Sequence, residues 1–137
     1  MKKILIISAS YYPKISEKLK KSAKNAITGN NCSVIDVPGI FEIPVIISKN
    51  INNFDAFVAL GCVIKGQTPH FELISKATID ALMNLSIKYK KPIGNGIITC
   101  LNEKQALERA ESNKKNKGGE AAKAVLSVLE IFKDESK

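Results

Sequence analysis

The amino-acid sequence predicts an α/β domain, a three-layer sandwich around a four-stranded parallel sheet. Short apolar runs rich in isoleucine, valine and leucine recur along the chain, and such runs are typical of strands buried on both faces of a sheet. The segments between them repeat apolar residues at helical spacing. The resulting order, β-α-β-α-β-α-β-α-α, favours parallel strands because a helix can carry the chain back to the start of the next strand.

Length and composition indicate one globular domain that spans residues 1–137. A chain of 137 residues with 45% hydrophobic residues can bury a core of its own but is too short for two domains. No apolar run reaches transmembrane length, and the short run after Met1 predicts a first strand rather than a signal peptide. We therefore expect a cytoplasmic protein with no membrane partner.

Cysteine and histidine are too few and too scattered to predict a metal site. Cys32, Cys62 and Cys100 lie far apart without a CxxC motif, and His70 is the only histidine. We therefore expect no bound metal, and free thiols in a reducing compartment.

The chain is basic, with a formal net charge of +8 at pH 7, and such a charge attracts phosphates, nucleic acids or anionic lipids. Of its 21 basic residues, all but one are lysines spread along the whole chain, so we expect a solvated surface and no nucleic-acid partner. The exception is Arg109, whose planar guanidinium can bind a phosphate or carboxylate through two parallel hydrogen bonds.

The first half of the chain predicts two strands and two helices. A strand over residues 3–9 precedes a turn with two tyrosines, and the helix after that turn ends at Gly29. A second strand covers residues 32–37, and Pro44 lies near the start of a helix that runs to about residue 50. The apolar face of the first helix comprises Ile15, Leu19, Ala23, Ala26 and Ile27.

The third strand, Phe57–Ile64, is the longest apolar run and predicts the centre of the sheet. A glycine-containing turn follows, in which Thr68 is a suitable N-cap and Pro69 a suitable first helical residue. The helix then runs to about Tyr89. Its predicted buried stripe comprises Leu73, Ile74, Ala77, Ala81 and Leu85.

The last part predicts a fourth strand over residues 93–99 and a short helix that Asn102 caps. Residues 113–119 form a polar break before a final helix over residues 120–132. Right-handed crossovers then allow the strand order 2-1-3-4, which is the flavodoxin-like arrangement.

Ligands of such sheets bind beyond the carboxyl ends of the strands, and unusual side chains follow all four strands there. They are Tyr11, Tyr12, Phe41, Glu42, Lys65, Gln67, Thr68, His70 and Arg109. After the third strand, free backbone N–H groups and a helix N-terminus face the same point, which favours a bound phosphate. His70 lies in the first helical turn, where the helix dipole disfavours a second proton on the imidazole, so we expect a proton acceptor.

Each of these residues also has an ordinary structural interpretation. His70 and Arg109 could be surface residues, and the tyrosines could be packing residues. Glu42 could simply compensate a helix dipole, and Lys117 could be solvated rather than hold a phosphate.

Three motifs resemble the lumazine synthase family of riboflavin biosynthesis. They are residues 37–44 (VPGIFEIP), residues 60–71 (LGCVIKGQTPHF), and residues 105–110 (QALERA) followed by 116–118 (NKG). The resemblance spans nearly the whole chain. It implies that 5-amino-6-(D-ribitylamino)uracil condenses with 3,4-dihydroxy-2-butanone 4-phosphate to 6,7-dimethyl-8-ribityllumazine, with release of phosphate and water and without a cofactor.

The resemblance also implies residue roles. The catalytic residue would be His70, and the substrate-binding residues would be Tyr11, Ile40, Phe41, Glu42, Cys62, Val63, Ile64, Gln67, Thr68, Asn95, Arg109 and Lys117. Tyr11 would stack on the pyrimidine, residues 40–42 would hold the ribityl chain and ring, and residues 62–64 would offer backbone contacts. Arg109, Gln67 and Thr68 would bind the phosphate, and His70 would transfer protons.

The sequence departs from the family pattern near this site. Tyr11 replaces a phenylalanine, and Ser10, Tyr12, Lys65 and Asn95 replace a common arginine, asparagine, arginine and aromatic residue. A binding-only relative that takes flavin or lumazine is therefore one rival interpretation. A flavodoxin-like signalling domain and a nucleic-acid-binding protein are two others.

The family forms pentamers or sixty-subunit shells of pentamers, with each active site at a subunit interface. The chain starts directly at the first strand, without the extra N-terminal segment that pairs with a neighbouring sheet in shell-forming members. We therefore expect a homopentamer, with the sixty-subunit shell as the alternative. The resemblance also implies a functional link to riboflavin synthase.

Overall fold

A computed structural model describes residues 1–135, in which strands and helices alternate. The first half contains β1 (Lys3–Ala9), α1 (Pro13–Ala26), β2 (Asn31–Val37), a 3₁₀ turn (Ile40–Glu42) and α2 (Ile43–Lys49). The second half contains β3 (Ala56–Ile64), α3 (His70–Tyr89), β4 (Ile93–Cys100), α4 (Glu103–Ala110) and α5 (Lys117–Glu135). This order agrees with the predicted one, and the 3₁₀ turn is an additional element.

The four strands form one parallel sheet in the order β2-β1-β3-β4, which confirms the predicted topology. In the register, Ile7 of β1 lies opposite Ile35 of β2 and Ala59 of β3. Residues 4–7 and 56–60 are fully buried, which explains why β1 and β3 are apolar without alternation. Because all four strands are parallel, their carboxyl ends share one edge of the sheet.

Helices cover both faces of the sheet, so the domain is the predicted three-layer sandwich. On one face, α1, α4 and α5 pack around a core that includes Leu19 and Val125. On the other face, the 3₁₀ turn, α2 and α3 pack around a core that includes Ile43 and Leu82.

The predicted buried stripe of α3 is partly wrong: Ile74 and Leu85 pack partly buried against the core, whereas Ala77 is exposed. The buried residues of this helix are Ser75, Thr78 and Leu82, whereas Leu73 is 66% exposed. The helix carries apolar residues on more than one side, and periodicity alone does not tell which side faces the sheet. Although α3 is 20 residues long, no helix within residues 1–135 is long and apolar enough to cross a membrane.

The predicted start of the last helix is also wrong, because α5 begins at Lys117 rather than at about Glu120. Asn116 adopts a left-handed conformation with φ +48°, and its side-chain oxygen accepts a hydrogen bond from the Gly119 N–H at 3.3 Å. A side chain at Gly118 would collide with the α1 backbone at Leu19, so glycine permits close packing of the two helices. Gly118 and Gly119 therefore belong to α5 and not to the polar break before it.

Candidate active site

The ends of β1 and β2 are fastened together by Ser10. Its backbone N–H and its hydroxyl both donate to the Val37 carbonyl, at 2.9 and 3.2 Å. The two chain segments that follow these strands, residues 11–12 and 38–42, therefore leave the sheet side by side. This contact gives Ser10 a structural role at the end of β1.

The 3₁₀ turn presents two side chains at the edge of the sheet and buries a third. Gly39 is extended, and its carbonyl accepts from the Glu42 N–H at 3.2 Å, which closes the turn. Ile40 is buried against the sheet, whereas Phe41 is 60% exposed. The turn therefore holds an aromatic ring and a carboxylate at the mouth of the cleft described below.

The ends of β3 and β4 are joined by the Lys65 N–H, which donates to the Cys100 carbonyl at 2.8 Å. The exposed loop that follows leads into α3. The predicted cap is wrong by one residue, since Pro69 is the N-cap and the helix begins at His70. The Thr68 hydroxyl still accepts a hydrogen bond, from the His70 N–H at 3.4 Å.

These segments enclose a cleft of about 430 Å³. Its lining includes these predicted site residues: Tyr11, Ile40, Phe41, Glu42, Cys62, Val63, Ile64, Thr68 and His70. The prediction from sequence missed Phe71 and Ile74, which also line the cleft. Phe71 and Ile74 are about one helical turn apart directly after His70, so the sequence already indicated that they share one face of the helix.

Four predicted residues, Gln67, Asn95, Arg109 and Lys117, are not among the residues in the described part of the chain that line this cleft. Gln67 lies in the exposed loop before α3. Asn95 is exposed on β4 opposite Ala59, and its side-chain oxygen accepts from the Ile97 N–H at 3.1 Å. Lys117 is in the first turn of α5, 3.5 Å from the Glu120 carboxylate.

Arg109 lies in the last turn of α4 and is held at the carboxyl end of β4. Its Nη1 donates to the Thr99 carbonyl at 2.6 Å and contacts the Cys100 sulfur at 3.5 Å. A guanidinium has five N–H donors in a planar fork. Anchoring one edge of the fork to the strand leaves the other donors for an anion.

The tyrosine pair forms one wall of the cleft. The Tyr11 ring is 70% exposed and meets the Tyr12 ring in an edge-to-face contact, with 4.9 Å between centroids and 67° between planes. Burial, Cys62 and Tyr11 together raise the pKa of Tyr12, so its hydroxyl stays protonated. The exposed face of Tyr11 is available to stack on a planar ligand.

Cys62 contributes a protonated thiol to the cleft. Burial, with the adjacent Cys100, raises the pKa of the Cys62 thiol to about 12, although Arg109 acts in the opposite direction. A thiol with such a pKa is a poor nucleophile at neutral pH. No group of three or more His, Cys, Asp or Glu side chains that could hold a metal occurs within residues 1–135.

The arrangement combines a stacking surface, an anion-binding helix start and a titratable side chain. The N-terminus of the 20-residue α3 and the Thr68 hydroxyl can bind a phosphate in the cleft. Tyr11 and Phe41 line the same cleft and can hold a planar, hydroxylated molecule. His70 lines the same cleft and can move a proton between bound groups.

Comparisons with known proteins show to which family the chain is similar. A sequence model of the family described as 6,7-dimethyl-8-ribityllumazine synthase matches residues 1–133. The 6,7-dimethyl-8-ribityllumazine synthase of Bartonella tribocorum is 45% identical over 135 residues, which cover 95% of this chain and 89% of the relative. The protein of that name from Zymomonas mobilis is 44% identical over 137 residues, which cover 97% and 98%. A third, from Agrobacterium fabrum, is 40% identical over 139 residues, which cover 95% and 94%.

Proposed function

The chain belongs to the 6,7-dimethyl-8-ribityllumazine synthase family, and we propose that its two substrates meet in the cleft between the 3₁₀ turn and the start of α3. It is an enzyme of riboflavin biosynthesis. It condenses 5-amino-6-(D-ribitylamino)uracil, the pyrimidine substrate, with 3,4-dihydroxy-2-butanone 4-phosphate, the butanone phosphate. The observation that supports this location is one cleft lined by Tyr11, Phe41, Thr68 and His70.

The pyrimidine substrate would bind between Tyr11 and the 3₁₀ turn. The exposed Tyr11 ring offers a stacking face, and residues 40–42 line the same cleft, where Glu42 can accept hydrogen bonds from ribityl hydroxyls. Backbone groups of residues 62–64 would contact the pyrimidine ring edge. The protonated thiol of Cys62 supports a backbone role for this residue rather than a nucleophilic one.

The phosphate of the butanone would bind at the start of α3. Thr68 and Gln67 lie in the loop before the helix, and the positive end of the α3 dipole favours an anion there. Arg109 and Lys117 would supply the cationic partners. The anchoring of Arg109 on β4 supports this role because a fixed fork loses less entropy when it binds phosphate.

His70 would transfer the protons that the reaction requires. The pyrimidine amine attacks the butanone ketone, water is lost to give an imine, phosphate leaves by β-elimination, and the ring closes. Each step adds or removes a proton near neutral pH, which suits an imidazole. Holding both substrates in one cleft also lowers the entropic cost of the condensation.

We propose that the protein is a homopentamer whose active sites lie at subunit interfaces, with a sixty-subunit shell as the alternative. Asn95, Arg109 and Lys117 are outside the lining of their own cleft, so they are available to complete the cleft of a neighbouring copy. Leu73, Met83 and Ile87 expose an apolar face on α3, and such a face suits an interface. Light scattering would give about 75 kDa for a pentamer, whereas a megadalton particle would support the shell.

We also propose a single domain over residues 1–137, a cytoplasmic location and a functional link to riboflavin synthase. The three free cysteines suit a reducing compartment. The product of the condensation needs an enzyme that consumes it, which is the basis of the proposed link.

An assay with both substrates tests the proposed function. Purified protein should produce lumazine fluorescence together with phosphate release, at a rate above the spontaneous reaction without protein. A binding-only relative, which the replacements at Ser10 and Asn95 make the second candidate, would instead bind lumazine or flavin without releasing phosphate. Phosphate release at the spontaneous rate would contradict the synthase assignment and favour that candidate.

A further inference from the structure

Gly61 lies in β3 directly beneath the 3₁₀ turn, and no side chain separates the strand from Ile40. A Cβ atom built at Gly61 would lie 2.6 Å from the Ile40 Cγ2 methyl and 3.1 Å from the Ala9 Cβ. Carbon atoms pack at about 3.5–4.0 Å, so a methyl group at this position requires Ile40 to move by about 1 Å. Ile40 therefore rests on the strand backbone itself.

Ile40 cannot make this movement by a side-chain rotation alone. It is only 4% exposed, and a β-branched side chain has restricted rotation about χ1. Its backbone also belongs to the 3₁₀ turn, so a displacement of Ile40 is passed to Phe41 and Glu42. The distance between these two residues and the opposite wall of the cleft thus depends on the absence of a side chain at Gly61.

We propose that Gly61 is a positioning residue that sets the height of the 3₁₀ turn above the sheet and thereby the fit of the ribityl chain of the pyrimidine substrate. This inference rests on the proposed function, because it assigns the turn to that substrate. The start of α3, where the phosphate is proposed to bind, does not include Ile40. A change at Gly61 should therefore affect the pyrimidine substrate much more than the butanone phosphate.

The variant Gly61→Ala tests the proposal through the two Michaelis constants. The KM for the pyrimidine substrate should rise about 10- to 100-fold, because hydrogen bonds from the ribityl hydroxyls weaken steeply when the turn is displaced by about 1 Å. The KM for the butanone phosphate should stay within about 2-fold. Equal increases in both constants, or none in either, would overturn the proposal.

Gly96→Ala is the matched control for strain in the sheet. A Cβ there would lie 2.5 Å from the Leu60 Cδ2 methyl and 3.1 Å from the Ala59 carbonyl oxygen, which lie on the same sheet but not on the turn. Thermal unfolding should show a lower melting temperature for both variants, whereas only Gly61→Ala should change the KM for the pyrimidine substrate. The same KM change in Gly96→Ala would contradict a role specific to the turn.

A double-mutant cycle with Ile40→Leu identifies the contact. Leucine has no branch at Cβ, so this replacement removes the Cγ2 methyl while it conserves volume. The KM penalty of Gly61→Ala should be at least 5-fold smaller in the Ile40→Leu background than in the wild type. Additive penalties would overturn the mechanism, whereas a wild-type protein without synthase activity would contradict the proposed function instead.

Discussion

At the scale of single residues, His70 is the only histidine in the chain and the first residue of α3, and it lines the cleft. We expect His70→Ala to lower kcat about 100- to 10,000-fold, because a positioned proton-transfer group contributes about that much. The KM values should change little, since stacking and phosphate binding remain. Steady-state lumazine fluorescence measures both constants.

Arg109→Ala serves as the contrasting variant for this measurement. It removes the guanidinium that β4 anchors, so it should raise the KM for the butanone phosphate and leave kcat less affected. An unchanged kcat in His70→Ala would contradict the proton-transfer role. A kcat loss in Arg109→Ala equal to that of His70→Ala would show that phosphate binding and proton transfer are not separate roles of the two residues.

The raised pKa of the Cys62 thiol predicts how the free energy of unfolding changes at alkaline pH. Burial raises the pKa of its thiol to about 12 in the folded protein, from about 9 in the unfolded chain. Above pH 9 the unfolded chain therefore loses this proton while the folded protein keeps it, so the free energy of unfolding falls as the pH rises from 9 through 12. Below pH 9 the contribution is fully present.

Urea unfolding of the wild type and Cys62→Ala at pH 7.5 and pH 10.5 checks this prediction. The wild type should lose more of its free energy of unfolding between the two pH values than the variant does. The variant should still lose some, because burial also raises the pKa of Tyr12 and of Cys32. The same loss in both proteins would show that Cys62 is not the group responsible.

At the scale of elements, Gly118 controls the packing of α5 on α1. A methyl group there would meet the α1 backbone at Leu19, which cannot rotate away. We expect Gly118→Ala to lower the free energy of unfolding by about 1–3 kcal/mol, the usual cost of overpacking. Urea unfolding monitored by circular dichroism measures the change.

Gly66→Ala is the matched control for this substitution. A Cβ at Gly66 would meet no atom within 4 Å, so the free energy of unfolding should stay the same or rise by a few tenths of a kcal/mol. The comparison separates a steric effect from the general effect of replacing glycine. A Gly118→Ala variant as stable as Gly66→Ala would contradict the packing argument.

The sequence was sufficient to predict most elements because the strands are apolar on both faces and glycine, proline and asparagine mark the ends. The predictions from sequence were wrong where contacts between helices and strands determine which residues are buried. Gly118 looks like a turn residue until the proximity of Leu19 is known, and the exposed Leu73 looks like a core residue of α3. Local patterns contain no information about which helix face has a partner.

At the scale of the whole molecule, the sequence predicted most of the residues that line the cleft. It did not show that one chain leaves some of the predicted site residues outside its own cleft. The motifs at residues 37–44 and 60–71 each contain the carboxyl end of a strand, so parallel topology alone brings Phe41 and His70 to one edge. Asn95, Arg109 and Lys117 belong to other segments, and one chain does not bring them into its own cleft lining. That they act in a neighbouring copy stays a prediction.

This prediction can be tested by mixing two variants that are each nearly inactive at low concentrations of the butanone phosphate. His70→Ala lacks a residue of the cleft, and Arg109→Ala lacks a residue that a neighbouring copy would supply. If the two chains are refolded together in equal amounts, about a quarter of the interfaces should pair an intact His70 with an intact Arg109. The mixture should therefore recover about a quarter of the wild-type activity at low butanone phosphate.

The control mixture combines His70→Ala with Tyr11→Ala, two changes in the cleft of the same chain. Every cleft in that mixture lacks one of the two residues, whichever copies are neighbours, so no activity should return beyond the sum of the separate variants. Recovery in the first mixture and not in the second requires that Arg109 acts across an interface between copies. Equal behaviour of the two mixtures would instead mean that Arg109 serves its own chain, and α4 would then have to move toward the cleft when substrate binds.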